Sequence, residues 1–141
     1  MQSIQTLTRE LGASLQLCPQ YVRFVAARET NDADEALSER MQALELVRMQ
    51  YRHEAAKKDA ADAVLMGQYN ADFEALYDEI MGNENMREYN EAAAGLNTLL
   101  KWITAVIQGC AQGEDPSAYE PEQAGCGGQK SSGCGGCKGC G

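Results

Sequence analysis

The sequence has little positive charge. Its 141 residues include 12 lysines and arginines against 21 aspartates and glutamates, for a formal net charge of −9. Because residues 126–141 contribute only Lys130 and Lys138 to this sum, the first 125 residues carry −11. A body of this charge repels the phosphates of nucleic acids, and no basic stripe runs along it. Direct binding to DNA or RNA is therefore not expected, and any role in nucleic acid metabolism would run through a protein partner.

Long apolar runs are also missing. None approaches the roughly 18 residues of a membrane-spanning helix, and the start, MQSIQTLTRELGAS, lacks a basic segment followed by an apolar one. We therefore expect a cytoplasmic protein without a membrane segment. In a reducing cytosol, clustered cysteines bind metals or carry out redox chemistry more often than they form disulfides.

Groups that would catalyse a reaction are scarce. His53 is the only histidine, and it lies among charged residues without a second histidine or a cysteine nearby, so a solvated helix face suits it better than catalysis. The carboxylates are dispersed, no glycine-rich phosphate loop follows a strand, and no serine lies on a nucleophile elbow. We predict that the protein is not an enzyme.

Apolar residues recur at helical spacing, and no alternating β-branched run indicates a strand. The pattern predicts an all-α bundle of about five helices, of which the third and fifth are long. The first should stop before Cys18, and the second should run from Pro19 to about Asn31. The third, capped within TNDADE, is predicted to reach Met66, with a break at Gly67–Asn70 before a fourth helix that ends near Gly82.

The fifth helix has a double apolar stripe. A seam at alternating steps of three and four is typical of a coiled coil, and a second stripe flanks it. The seam comprises Met86, Tyr89, Ala93, Leu96, Leu100, Ile103 and Ile107, and the flanking stripe comprises Leu99, Trp102 and Val106. So wide a face predicts packing both within the chain and against another chain, although core packing alone is the alternative for each residue.

The composition changes after residue 109. We divide the chain into a helical domain at 1–109, a linker at 110–125 that is rich in proline, glycine and acid, and a tail at 126–141 that is rich in cysteine and glycine. The tail has no large apolar side chain to offset the entropy of ordering it, so it is predicted to be flexible in the absence of a metal or a partner.

The tail cysteines are the candidate ligands of a metal centre. Cys126, Cys134, Cys137 and Cys140 are separated by seven, two and two residues, and the last three share the C-x2-C-x2-C spacing that wraps iron–sulfur clusters. Glycines allow close backbone approach to the sulfurs. A [4Fe–4S] cluster needs four thiolates, so Cys126, Cys110 or a partner's cysteine would complete the set.

Other interpretations of the cysteines stay open. Zinc also takes four thiolates, but its structural sites usually pair C-x2-C units about a dozen residues apart, which fits this spacing less well. A tail of metal-free thiols and a tail that a modifying enzyme uses as substrate are further alternatives. Cys18 precedes Pro19 in an apolar neighbourhood, and a small buried residue is the predicted role for it.

The body resembles a known family. The segment CPQYVRFVAARE, and later ALYDEIMGNENMREYNEAAAGLNTLLKWITAVI, are similar to the YlbF/YmcA family of small helical regulators of Gram-positive bacteria, over about Gln2–Ile107. The resemblance implies helical homo- or hetero-oligomers. In the best understood branch, YlbF-like, YmcA-like and YaaT-like proteins form a complex that carries [4Fe–4S] clusters and acts with the endoribonuclease RNase Y in mRNA processing, which affects competence, sporulation and biofilm formation.

Among the functional residues of the family, only the cysteine ligands have counterparts in this sequence. Cys126, Cys134, Cys137 and Cys140 match the presence of cysteine ligands near the C-terminus of such proteins. Other branches of the family lack the tail. The resemblance therefore implies a regulatory or scaffold subunit that holds an iron–sulfur cluster and acts through protein partners, and the alternative is a helical interaction module that binds zinc.

Overall fold

The computed structural model describes residues 1–121, and these residues form an all-α fold. Five α-helices follow one another along the chain, with no strand among the described residues; they are α1 (Ile4–Leu17), α2 (Pro19–Ala33), α3 (Glu35–Ala55), α4 (Ala63–Gly82) and α5 (Glu84–Ala111). The predicted helical class and number of helices are confirmed. The cysteine-rich tail predicted from Cys126 onward lies outside the described residues.

Polar side chains and one proline set the helix starts. Ser3 and Asp34 each accept a hydrogen bond from a backbone N–H of the helix they precede, at 3.2 and 3.0 Å, and Asp62 accepts two at the start of α4. Pro19 occupies the first turn of α2, where its missing N–H costs nothing. The predicted boundaries at Cys18 and within TNDADE are confirmed.

The predicted course of the third helix is wrong at its C-terminal end. The helix does not continue to Met66: α3 ends at Ala55, and Gly67 lies inside α4 rather than in a break. A short 3₁₀ turn, Lys58–Ala60, connects the two helices. As a result α4 is 20 residues long, nearly the 21 of α3, while α5 is the longest at 28.

A buried carboxylate explains where α3 ends. Glu54 is 4% exposed and accepts hydrogen bonds from Lys57 Nζ at 2.6 Å and from the backbone N–H of Asp62 at 2.8 Å. These bonds close the connection between α3 and α4, and they lower the pKa of Glu54, with Lys57 as the larger cause. Lys58 adopts a φ of 53°, a left-handed conformation that no α-helix residue takes. The chain therefore turns here despite a composition that favours a helix.

The described residues divide into two compact units, one covering Met1–Lys101 and a second that begins at Trp102. In the first unit, α3 and α4 form the most extensive helix pair. Its core is a cluster of Leu37, Ile80 and Met86, against which Leu44 and Tyr89 pack. Three elements thus meet at this cluster, because Leu37 comes from α3, Ile80 from α4 and Met86 from the first turn of α5.

The buried apolar set is small. Besides that cluster, only Ala27, Val47 and Ala92 among the described hydrophobic residues are buried. Helix α1 buries none of its residues. No helix among residues 1–121 is both long enough and apolar enough to cross a membrane. Much of the apolar surface of these helices is therefore open in the single chain.

Removal of the Leu37 side chain tests the core. Leu37 is 2% exposed, and Leu37→Ala should lower the free energy of unfolding by about 2–5 kcal/mol through lost burial and a cavity. Leu46→Ala on the same helix is the matched control, since Leu46 is 54% exposed and should cost about 0.5 kcal/mol or less. Urea denaturation followed by circular dichroism measures both, and equal losses would contradict the assigned core.

Candidate functional site

Asp34 links two helix junctions. Asp34 ends α2 and begins α3, and its Oδ1 accepts the backbone N–H of Leu37. Its Oδ2 accepts hydrogen bonds from the side-chain amides of Asn83 at 3.1 Å and Asn85 at 3.0 Å. Asn83 in turn ends α4, and its Oδ1 accepts the backbone N–H of Met86 at 3.1 Å. One carboxylate therefore joins the α2–α3 junction to the α4–α5 junction.

The same bonds stabilise the charged form of Asp34. The N–H of Leu37, followed by the amides of Asn83 and Asn85, holds the pKa of this carboxyl below its ordinary value. A group with this shift favours folding when ionised and loses that effect when protonated. Asp34 is thus held as an anion by hydrogen-bond donors, which suits a structural role better than acid–base chemistry.

A second polar contact joins α2 to α5. The Arg23 guanidinium donates two hydrogen bonds to the carboxylate of Glu88, at 2.7 and 2.9 Å, and one to Glu91 at 3.3 Å. Arg23 lowers the pKa of Glu88 in consequence. Beside this contact, the rings of Phe24 and Tyr89 lie 5.7 Å apart. The pair of helices is thus held by a bidentate ion pair and an aromatic contact, side by side.

The described carboxylates with shifted pKa values all serve structural contacts. Asp34 caps α3, Glu54 closes the α3–α4 connection, and Glu88 binds Arg23. His53 lies exposed near the end of α3, on the kind of solvated face predicted for it. The acids that look most distinctive in the structure are therefore engaged in holding helices together.

The predicted seam of α5 begins inside the chain's own core. Met86 is buried, and Tyr89 packs against the same cluster, so the core interpretation is confirmed for these two residues. In the second unit, Trp102 is 41% and Ile107 58% exposed. Contact of this helix with another chain stays a prediction.

Two cysteines lie among the described residues. Cys18 and Cys110 are free thiols of intermediate exposure, so Cys18 is less buried than predicted. No group of three or more histidine, cysteine or acidic side chains within residues 1–121 is arranged to hold a metal ion. The predicted ligands Cys126, Cys134, Cys137 and Cys140 lie outside the described residues.

The chain reverses direction after α5. Gly113, with a φ of 101°, ends the helix, and the N–H groups of Gly113 and Glu114 donate back to the carbonyls of Cys110 and Gly109, both at 3.1 Å. This is the Schellman arrangement that glycine favours. A turn at Asp115 follows and brings the Tyr119 ring onto Gly109, where an added Cβ would lie 2.5 Å from the ring.

Sequence reasoning identifies TNDADE as a capping segment but misses what Asp34 also binds. The pair Asn83 and Asn85 at the start of α5 is a local signal, because asparagine favours helix ends. These amides lie 49 and 51 residues after Asp34 in the chain. Their contact with Asp34 follows only from the packing of the helices in the folded chain. The contact between Gly109 and Tyr119 likewise has no signal in the sequence beyond Gly113.

The family described as control of competence regulator ComK, YlbF/YmcA, matches residues 4–109. No curated protein matches the chain. No solved structure matches it either.

The pH dependence of stability tests the Asp34 junction. Asp34→Ala should destabilise the fold most above the ordinary aspartate pKa of about 4, and the difference from the unaltered protein should shrink as the pH falls through the lower folded pKa. Asp34→Ser, which retains an oxygen for the helix cap, should be less damaging. Urea denaturation across acidic pH measures this, and a difference independent of pH would contradict the assignment.

Two glycines of α5 form a matched pair for the C-terminal turn. Gly109→Ala should displace the Tyr119 ring and speed hydrogen exchange of the Tyr119 amide, which donates to the Asp115 carbonyl. Gly95→Ala has open space for its Cβ and should stabilise the helix by about 0.5–1 kcal/mol without that effect. Unchanged exchange in Gly109→Ala would show that Tyr119 does not rest on Gly109 in solution.

Proposed function

Because the chain belongs to the YlbF/YmcA family of competence regulators, we propose that it is a regulatory or scaffold subunit rather than an enzyme, and that it acts through protein partners. The family match over residues 4–109 is the observation that carries this proposal. The polar contacts support it, since the acids with shifted pKa values bind helix ends and an arginine. In this proposal the helical body binds partner proteins, and the cysteines that follow it bind a metal centre.

The second element of the proposal is an iron–sulfur cluster in the C-terminal residues. The donor set fits, because Cys126, Cys134, Cys137 and Cys140 supply four thiolates in sixteen residues with glycine at most positions between the last three. Residues 1–121 offer no metal site of their own. A bound cluster would supply electron-transfer or iron-sensing chemistry. Zinc at the same thiolates is the alternative, in which case the tail is an interaction module.

The resemblance extends the proposal to a pathway. YmcA-like and YaaT-like proteins are the proposed partners, and processing of mRNA by RNase Y is the proposed process. The acidic surface supports an indirect role, because a body of charge −11 over residues 1–125 would bind RNA poorly on its own. We assign to such a partner two exposed residues of α5 in the second unit, Ile107 of the seam and Trp102 of the flanking stripe.

Substitution of one tail cysteine tests the cluster. Cys134→Ser should abolish the visible absorption and the bound iron and sulfide of protein purified without oxygen, because one missing thiolate opens an iron site. Helical circular dichroism should stay unchanged, since the core cluster found among residues 1–121 is built from side chains of α3, α4 and α5.

Cys18→Ser is the matched control. It should retain the cluster, and it should cost about 1 kcal/mol of stability or less, because the introduced hydroxyl is only partly buried. Full iron and sulfide content in Cys134→Ser would place the ligands elsewhere. A colourless unaltered protein with stoichiometric zinc would replace the cluster by the zinc alternative.

A further inference from the structure

Helix α4 differs from the other helices in its charge. All its charged side chains are acidic; they are Asp72, Glu74, Asp78 and Glu79. Each of the other four α-helices of residues 1–121 contains at least one arginine. Arg40 of α3 binds Glu79 at 2.9 Å, but no basic side chain of residues 1–121 forms an ion pair with Glu74 or Asp78. These two carboxylates, one turn apart, therefore leave negative charge on the exposed surface of α4.

An apolar line runs along α4 beside these two acids. Phe73, Tyr77 and Met81 follow one another at steps of four residues, so their side chains lie on one side of the helix. Tyr77 is 46% and Met81 39% exposed, whereas Phe73 is half-buried. Met66, also half-buried and seven residues before Phe73, extends this side toward the start of α4. These four residues, the α4 line, cover about 22 Å of helix.

The core and the acids border the α4 line on opposite sides. Ile80 belongs to the core cluster. Because successive side chains are about 100° apart around a helix, Phe73 and Tyr77 lie between the direction of Ile80 and the row formed by Glu74 and Asp78. A molecule that binds the α4 line from solvent therefore meets the acidic row at the same time.

The side chains of the α4 line are held in place within the chain itself. The rings of Phe73 and Tyr77 stack, with their centroids 6.2 Å and their planes 15° apart. At the other end, Nδ2 of Asn90 on α5 lies 3.9 Å from Sδ of Met81. Side chains ordered in this way lose little entropy on binding. Ring faces also attract cations, so the aromatic residues and the acidic row favour a partner of the same charge.

We propose that the α4 line and its acidic row bind a basic amphipathic helix of a partner protein. Such a helix lays its apolar side on Tyr77 and Met81 and directs its lysines or arginines to Glu74 and Asp78. A second copy of the chain does not fit this surface, because residues 1–125 carry −11 and α4 would meet its own acids. The inference deepens the proposed function and rests on it in one respect, that the chain acts through protein partners.

The two parts of this surface contribute differently to binding. An exposed ion pair adds little affinity, so contact with Tyr77 and Met81 supplies most of the affinity, in keeping with the frequency of tyrosine at the centre of interfaces. The acids select a basic partner and reject an acidic one. Because salt screens exposed charges, binding should weaken as the salt concentration rises but should persist.

Binding of a synthetic peptide to the full chain tests the proposal. The probe is a fluorescently labelled amphipathic helix of about 16 residues, the length of the α4 line, with leucines along one side and lysines along the other. Fluorescence anisotropy against protein concentration, at low and at physiological salt, measures the dissociation constant. The probe should bind, and a peptide of the same composition with its leucines scattered around the helix should bind about ten-fold more weakly.

Substitutions on the α4 line test its apolar contacts. Tyr77→Ala and Met81→Ala should each raise the dissociation constant of the probe about five- to ten-fold. Met49→Ala is the matched control for Met81→Ala, because Met49 is 58% exposed on α3, and it should leave the constant unchanged. Circular dichroism of each variant checks that the helices are retained.

Substitutions in the acidic row test the charge preference without changing side-chain size. Glu74→Gln combined with Asp78→Asn should raise the dissociation constant about five-fold at low salt and less at physiological salt. Glu29→Gln combined with Asp32→Asn, at exposed positions of α2, makes the same change in net charge. This matched control should have a much smaller effect, because it leaves the acidic row intact.

Five results would overturn the inference. They are no binding of the probe, equal binding of the scattered peptide, equal effects of the two paired charge substitutions, an unchanged constant in Tyr77→Ala, and self-association of the unaltered chain that Tyr77→Ala abolishes. Iron and sulfide measured in the same samples keep the two proposals apart. Failure to bind the probe with full cluster content counts against this surface alone, and binding without any cluster counts against the cluster alone.

Discussion

The carboxylate of Asp34 is the constraint on which the rest of the helical body depends. It accepts one backbone and two side-chain hydrogen bonds, and these join the α2–α3 junction to the α4–α5 junction. The residues whose N–H groups are capped there, Leu37 by Asp34 and Met86 by Asn83, are two of the three residues of the core cluster. The polar contacts and the apolar core thus meet at the two helix junctions. A shift of either junction would therefore disturb the hydrogen bonds of Asp34 and the packing of the core cluster together.

Because the same junctions hold both polar contacts and core residues, a small core suffices to order the first unit. The cluster of Leu37, Ile80 and Met86 fixes one end of the α3–α4 hairpin, and the bonds of Glu54 close the other. Between α2 and α5, Arg23 and the pair of Phe24 and Tyr89 add a third contact. With the internal polar groups committed to these contacts, apolar side chains exposed on the helices are left for other molecules, among them Met49 on α3, Val64 on α4 and Ile107 on α5. A body built in this way is suited to binding partners.

A structural feature can be predicted from the sequence when the side chains that cause it lie next to it in the chain. The helical class, the start of α2 at Pro19 and the cap at Asp34 follow from side chains next to the boundary they set. The turn between α3 and α4 does not, because alanine and lysine favour a helix there and the interruption rests on Glu54 reaching the N–H of Asp62, eight residues later. The amides on Asp34 and the ring on Gly109 likewise need the folded chain. The four tail cysteines are the reverse case, since spacing alone predicts them as cluster ligands, and this stays a prediction.

The central claim is that a helical regulatory body carries an iron–sulfur cluster in its C-terminal cysteines. Native mass spectrometry of the full chain, purified and sprayed without oxygen, tests it most directly because it weighs the bound group itself. The account predicts a species heavier than the bare chain by four iron and four sulfide atoms for each chain that it contains. The mass of the bare chain, or of the chain with zinc, would contradict it.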